Sequence, residues 1–115
     1  MLRHAVLLLL CVCMTSAAYA CGDEMAQAAD EAEQSLQGAY ERAWSGADEE
    51  KRELIARSQI AWRDYRGANC EMYASRDAWI SPDAYAQCLK YMTEERVQDL
   101  RLICLTGGDG ESCQP

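Results

Sequence analysis

Gln59-Ile60-Ala61-Trp62-Arg63-Asp64-Tyr65-Arg66-Gly67-Ala68-Asn69-Cys70, answered by Cys88-Leu89 and then by Thr93-Glu94-Glu95-Arg96, decides how this chain folds. Gln59, Trp62 and Arg66 are spaced i, i+3, i+7, which puts them on one face of a helix. Cys70 lies one turn further along that face. The second half carries its own Cys, a polar Thr93 and Arg96, and Leu100 at helical spacing. Two helices, each with a Cys at one end and polar groups near an apolar face, are the core of the reading.

Working outward, the periodicity predicts three helices and no strands. The first spans about 23–44, where Met25, Ala29, Ala32, Leu36, Ala39, Tyr40 and Ala43 recur at helical spacing and acidic residues take the other faces. Ser45-Gly46 ends it. Asp48 is the expected N-cap of a second helix, about 49–73, and Glu49 and Glu50 suit its first turn. Its apolar stripe reads Leu54, Ile55, Ser58, Trp62, Tyr65, Asn69 and Tyr73. Gly67 costs this helix about 1 kcal/mol relative to Ala, which a close approach by another helix would justify. Residues 74–81 are a connection. Ser81-Pro82 is a cap followed by a favoured first helical residue, so a third helix spans about 82–105. Its stripe is Tyr85, Cys88, Leu89, Met92, Arg96, Leu100 and Ile103. Short connections make neighbours antiparallel, and the expected fold is all-α: a small antiparallel three-helix bundle.

The pattern Q-x-x-W-x-x-Y-R-x-x-x-C, then C-L-x-x-x-T-x-x-R-x-x-x-L, resembles the N-terminal domain family of the LprI-type lysozyme inhibitor. An upstream L-N-x-x-Y box of that family is matched by Leu36-Gln37-Gly38-Ala39-Tyr40, with Gln in place of Asn. The resemblance covers about residues 30–104. It makes Gln59, Trp62, Arg66, Cys70, Cys88, Thr93 and Arg96 the family's motif positions here. It implies an exported helical domain that inhibits lysozyme, with a Cys70–Cys88 bridge joining the second and third helices. Closing that loop contributes ~3 kcal/mol on the chain-entropy model.

The first residues read as an address. Arg3 and His4 form a short positive segment, Ala5 to Met14 is an apolar run, and Ala18-Tyr19-Ala20 is an A-x-A cleavage site. The apolar run is too short to span a bilayer. The expected organisation is therefore a signal peptide over 1–20, a helical domain over 21–105, and a polar tail over 106–115. A Cys directly after the cleavage point, Cys21, is also what a bacterial lipoprotein needs. Ala18 stands where a lipobox has Leu, so ordinary export to the periplasm or beyond is the preferred reading and lipidation the rival. Five cysteines remain after cleavage: Cys21, Cys70, Cys88, Cys104 and Cys113. In an oxidising compartment they should mostly pair, with one thiol left over. Cys104–Cys113 would staple the tail to the last helix; Cys21–Cys104 would tie down the N-terminus instead.

Composition narrows the function. The 95 residues from Cys21 hold ten basic against nineteen acidic side chains, a net charge of −9, and suffice for one small domain. Nucleic-acid binding wants the opposite sign. Ten of the acidic residues fall within 23–53, against Arg42, Lys51 and Arg52. Such a face gives solubility, and it also steers encounter with a basic partner such as an animal lysozyme. The single His is His4, inside the address. Its loss removes Ser-His and Cys-His nucleophile pairs and most zinc sites. The residues point to no cofactor, no metal and no enzyme.

Trp62, Tyr65, Tyr40 and Leu100 read as core. Gln59, Arg66, Thr93 and Arg96 read as buried hydrogen-bonding groups that fix helix register. Glu33, Asp99 and Glu95 are the candidate partners of Arg66. The candidate partner-binding residues are Arg76, Trp79 and Ile80 in the connection, with Glu31, Glu49 and Glu50 on the acidic face. Trp and Arg are enriched at binding hot spots; the competing reading has Trp79 folded back over the core.

Overall fold

The computed structural model describes the backbone of residues 2–107 and of Cys113, and the side chains of 23–107 and of Cys113. Three helices run up, down and up: α1 (Leu2–Ser45), α2 (Glu49–Ala74) and α3 (Pro82–Gly107). Between α2 and α3 two short strands, β1 (Ser75–Arg76) and β2 (Trp79–Ile80), pair antiparallel. The fold is the all-α bundle read from the sequence, with one addition. The expectation of no strands is corrected here: the connection over 74–81 is a minimal hairpin, formed because its two chain directions are already antiparallel where the helices meet.

Local chemistry sets the boundaries. Ala47 N–H donates to the Trp44 carbonyl at 3.2 Å as α1 ends at Ser45. Asp48 caps α2 as expected: its side chain accepts from the Lys51 N–H at 2.9 Å. The Ser81 hydroxyl accepts from the Ala84 N–H at 3.4 Å, with Pro82 at the first helical position of α3. The first helix starts at Leu2 rather than near 23. The segment expected to be an address is rich in Leu and Ala and holds no proline, so nothing in its composition stops a helix.

Most of the packing is α1 against α3, with α2 laid across α3 and touching α1 little. The reason is a pair of matched seams. On α1 the buried positions are Ala32, Leu36, Ala39 and Ala43; on α3, beyond the disulfide-bonded Cys88, they are Thr93, Val97, Leu100 and Cys104. Both alternate steps of four and three residues, the 3.5-residue average of left-handed helix pairing. Small alanines on one side admit the larger side chains of the other. Leu36 and Leu100 are fully buried, each contributing about 1.5–3 kcal/mol by burial.

On α2 the inner face differs from the expected stripe. Ile55, Gln59, Cys70 and Ala74 are buried, while Leu54, Tyr65 and Tyr73 are exposed. The buried line carries a Gln and the half-buried Arg66, which a hydropathy pattern passes over in favour of the adjacent apolar line. The motif positions, by contrast, mark the correct face. Gly67 also departs from expectation: a Cβ there would meet nothing within 4 Å, so no helix approaches it.

Cys70 and Cys88 are bonded, Cα to Cα 5.5 Å, joining α2 to α3. Cys104 and Cys113 are also bonded, which excludes a Cys21–Cys104 bridge and holds Cys113 buried against the core. The polar tail is therefore pinned at Cys113.

Candidate functional site

The motif residues converge on one polar cluster between the helices. Arg66 is 13% exposed at its side chain. Its NH1 donates to Glu33 Oε2 at 2.7 Å and to Thr93 Oγ1 at 2.8 Å, so one guanidinium ties α2 to both α1 and α3. Of the three acidic candidates, Glu33 is the partner. Arg63 NH2 reaches the other oxygen of Glu33, also at 2.7 Å. Burial pushes the Glu33 carboxyl up, but hydrogen bonds and charges from Arg66 and Arg63 outweigh it and hold the carboxyl below its ordinary value.

Trp62 fills the space between two guanidiniums. Arg66 lies over its ring at 4.8 Å and Arg96 at 5.8 Å. Arg96 Nε donates to Gln59 Oε1 at 3.0 Å and its NH2 to Ser58 Oγ at 3.0 Å. Burial pushes the Arg96 guanidinium down, and Asp99 at 3.9 Å partly opposes this. Arg66 Nε is buried with no hydrogen-bond partner among the described residues; the face of the Trp62 ring offsets its charge. Chemically this cluster holds helix register. It offers a partner little, because its polar atoms are spent on one another.

The partner-binding candidates fall at two ends of the bundle. At one end stands the hairpin. Ser81 N–H donates to the Ala74 carbonyl at 3.0 Å and closes its base, Ala74 is fully buried, and the Cys70–Cys88 bridge lies one turn below. Asp77 takes the positive φ of 50° needed at the first position of the two-residue loop, a conformation that Asp tolerates better than most residues. Trp79 and Ile80 project outward, 58% and 47% exposed. Trp79 does not fold back over the core. Arg76 is turned toward its own helix, donating to the carbonyls of Tyr73 at 3.2 Å and Ser75 at 2.9 Å. It acts there as a C-terminal cap.

Glu49 and Glu50 lie at the opposite end of α2, some 26 residues away, or about 39 Å at the rise of an α-helix. They cannot share a contact patch with the hairpin. Glu31 lies nearer to it, because α1 runs antiparallel to α2 with Glu33 level with Arg66. Its carboxylate accepts from Gln27 at 3.1 Å and stays exposed. The sequence reading missed three other surface residues, Tyr65, Tyr73 and Tyr91, all exposed on the α2–α3 side. Helical spacing puts the first two on the expected apolar stripe of α2, but the structure leaves them exposed.

Among the described residues no three His, Cys, Asp or Glu side chains group as metal ligands, and no helix is long and apolar enough to cross a membrane. What remains is a small disulfide-braced helical domain whose polar cluster is internal and whose outward features are surfaces. The model of the lysozyme inhibitor LprI family matches residues 13–100, and the chain belongs to that family. The matched span takes in α2, the hairpin, the Cys70–Cys88 bridge and the polar cluster. The family is described as one of lysozyme inhibitors. No curated protein and no solved structure matches the chain.

Proposed function

We propose that this protein is exported and inhibits a basic lysozyme by surface docking, with the Trp79-Ile80 hairpin as the anchoring element. The observation that carries the reading is the hairpin: a large aromatic held outward on a short, braced support, in a chain of the LprI family. A pre-organised aromatic loses little conformational freedom on binding, which favours affinity. The acidic residues contribute at a distance. Glu31 and its neighbours on α1 flank the hairpin end and favour encounter with a basic surface there, whereas Glu49 and Glu50 add only to the overall field.

Export accounts for the bridges. Two disulfides belong to an oxidising compartment. Residues 1–20 act as the signal, and cleavage before Cys21 leaves that Cys as the one a lipid anchor would take. Mass spectrometry of the mature N-terminus separates secretion from lipidation, and retention of Met1 contradicts both.

One observation favours a second reading, a non-inhibitory interaction module of the envelope. The motif positions Gln59, Trp62, Arg66, Cys70, Cys88, Thr93 and Arg96 serve the interior, so sharing them preserves the fold without fixing the target. Association kinetics with a basic lysozyme decide between the two. Replacing Trp79 with Ala speeds dissociation if the hairpin anchors the complex, while Glu31→Lys slows association. A Trp79→Ala protein that dissociates at the wild-type rate removes the hairpin from the account.

A further inference from the structure

A groove of about 580 Å³ runs between α2 and α3, lined by residues of these two helices. Tyr65, Asn69 and Tyr73 follow one another at four-residue steps along α2, and Gln87, Tyr91 and Glu95 do the same along α3. Each row spans eight residue steps, about 12 Å at helical rise. The floor is Met92 and the Cys88 end of the Cys70–Cys88 bridge, so the two walls are covalently held at one end. The tyrosines are 60%, 57% and 61% exposed, a large aromatic surface for a protein to leave in water.

The lining has one sign. No Lys or Arg contributes to it, and Glu95 makes no ion pair among the described residues. The adjacent Glu95 carboxylate, by hydrogen bonding and charge, pushes the Tyr91 hydroxyl above its ordinary value. Tyrosine ring faces are electron-rich and attract cations. The apolar floor suits the aliphatic stem of a long basic side chain. The groove ends at Tyr73, two residues from the hairpin.

We propose that this groove receives an arginine or lysine side chain of a basic protein partner, its cation stacked against Tyr65 and Tyr91 and paired with Glu95. The proposal deepens the docking reading above and rests on it for the nature of the partner. Charge decides for a cation over a neutral sugar, which would also stack on tyrosine: the only charge in the groove is Glu95, and the chain carries a net −8. A partner pinned by Trp79 would pass the groove mouth and present its neighbouring side chains there.

The test uses a blocked tri-arginine peptide and the purified, isotope-labelled protein, followed by NMR shifts. The expected result is saturable movement of the Tyr65, Asn69, Tyr73, Tyr91 and Glu95 resonances. Tyr91→Leu and Glu95→Gln, both with unchanged circular dichroism, should each weaken binding about fivefold, the scale of one cation–π or charge contact. Shifts spread over residues 23–53 with the groove unmoved would mean diffuse adsorption and overturn the proposal. So would a chito-oligosaccharide that saturates the groove where the peptide does not. The readout needs no lysozyme, so the groove can fail while inhibition stands, and the reverse.

Discussion

Replacing Arg66 with Ala removes a side chain whose hydrogen bonds tie α2 to both α1 and α3. Its NH1 serves Glu33 at 2.7 Å and Thr93 at 2.8 Å, and its guanidinium covers Trp62 at 4.8 Å. A charge-assisted hydrogen-bond pair of this kind is worth about 1.5–3 kcal/mol, and the cation–π contact about 1 kcal/mol. Two features reduce the loss. Glu33 keeps Arg63 at 2.7 Å, so no buried carboxylate is stranded. The buried, unpartnered Nε disappears with the side chain. The net expectation is a destabilisation of about 2–3 kcal/mol, a large share of the stability of a small domain. Urea denaturation followed by circular dichroism reads it. With a slope near 1.3 kcal/mol/M, the midpoint should fall by roughly 2 M. Arg66→Lys should recover less than half of this, because an ammonium neither stacks nor forks as a guanidinium does. Arg63→Ala, at a half-exposed ion pair, should cost under about 1 kcal/mol. An Arg66→Ala midpoint within about 0.3 M of wild type at unchanged slope would show that the cluster does not hold the helices together, and the structural assignment of the motif would fall.

Three further outcomes are expected. Glu33 has a lowered carboxyl value in the fold, so its contribution is complete above the unfolded-state value and is lost as pH falls through the folded one; thermal melts of wild type and Glu33→Gln should converge as the solution is acidified below about pH 4, and a constant gap between them would contradict this. Gly67→Ala should raise stability by about 0.5–1 kcal/mol, since the new methyl group meets nothing within 4 Å, and a lower melting temperature would reveal a contact absent from this structure. Removing the Cys70–Cys88 bridge by double substitution to Ala should cost ~3 kcal/mol, and the nine-residue separation of Cys104 and Cys113 predicts a somewhat smaller loss for that pair; the reverse order in denaturation would argue against loop closure as the source.

The parts of this fold that sequence made legible are those where one physical signal spoke alone. Over residues 23–45 of α1, Ala32, Leu36, Ala39 and Ala43 form an apolar line between acidic faces, and it is the buried line. Asp48 and Ser81-Pro82 marked helix starts because capping chemistry is local. On α2 two signals conflicted. Hydropathy favoured Leu54, Tyr65 and Tyr73, yet the interior takes Gln59 and Arg66, whose polar groups are satisfied only by residues distant in the chain. Glu33 lies 33 residues from Arg66, a pairing that no local pattern specifies. The exposure of Trp79 was open for the same reason: it depends on the two-residue hairpin, and on Asp77 accepting a positive φ, rather than on the composition of the segment.

Inhibition of a basic lysozyme by the purified protein, measured across salt from about 0.05 M to 0.5 M, tests the central claim most directly. Over that range the screening length shortens from beyond 10 Å to a few ångströms. The account predicts inhibition at low salt that weakens as salt rises, because encounter is steered by charge, and that is much reduced by Trp79→Ala at every salt concentration, because the hairpin anchors the complex. Lysozyme activity left untouched at the lowest salt, by a protein whose circular dichroism shows the helical fold, would contradict it.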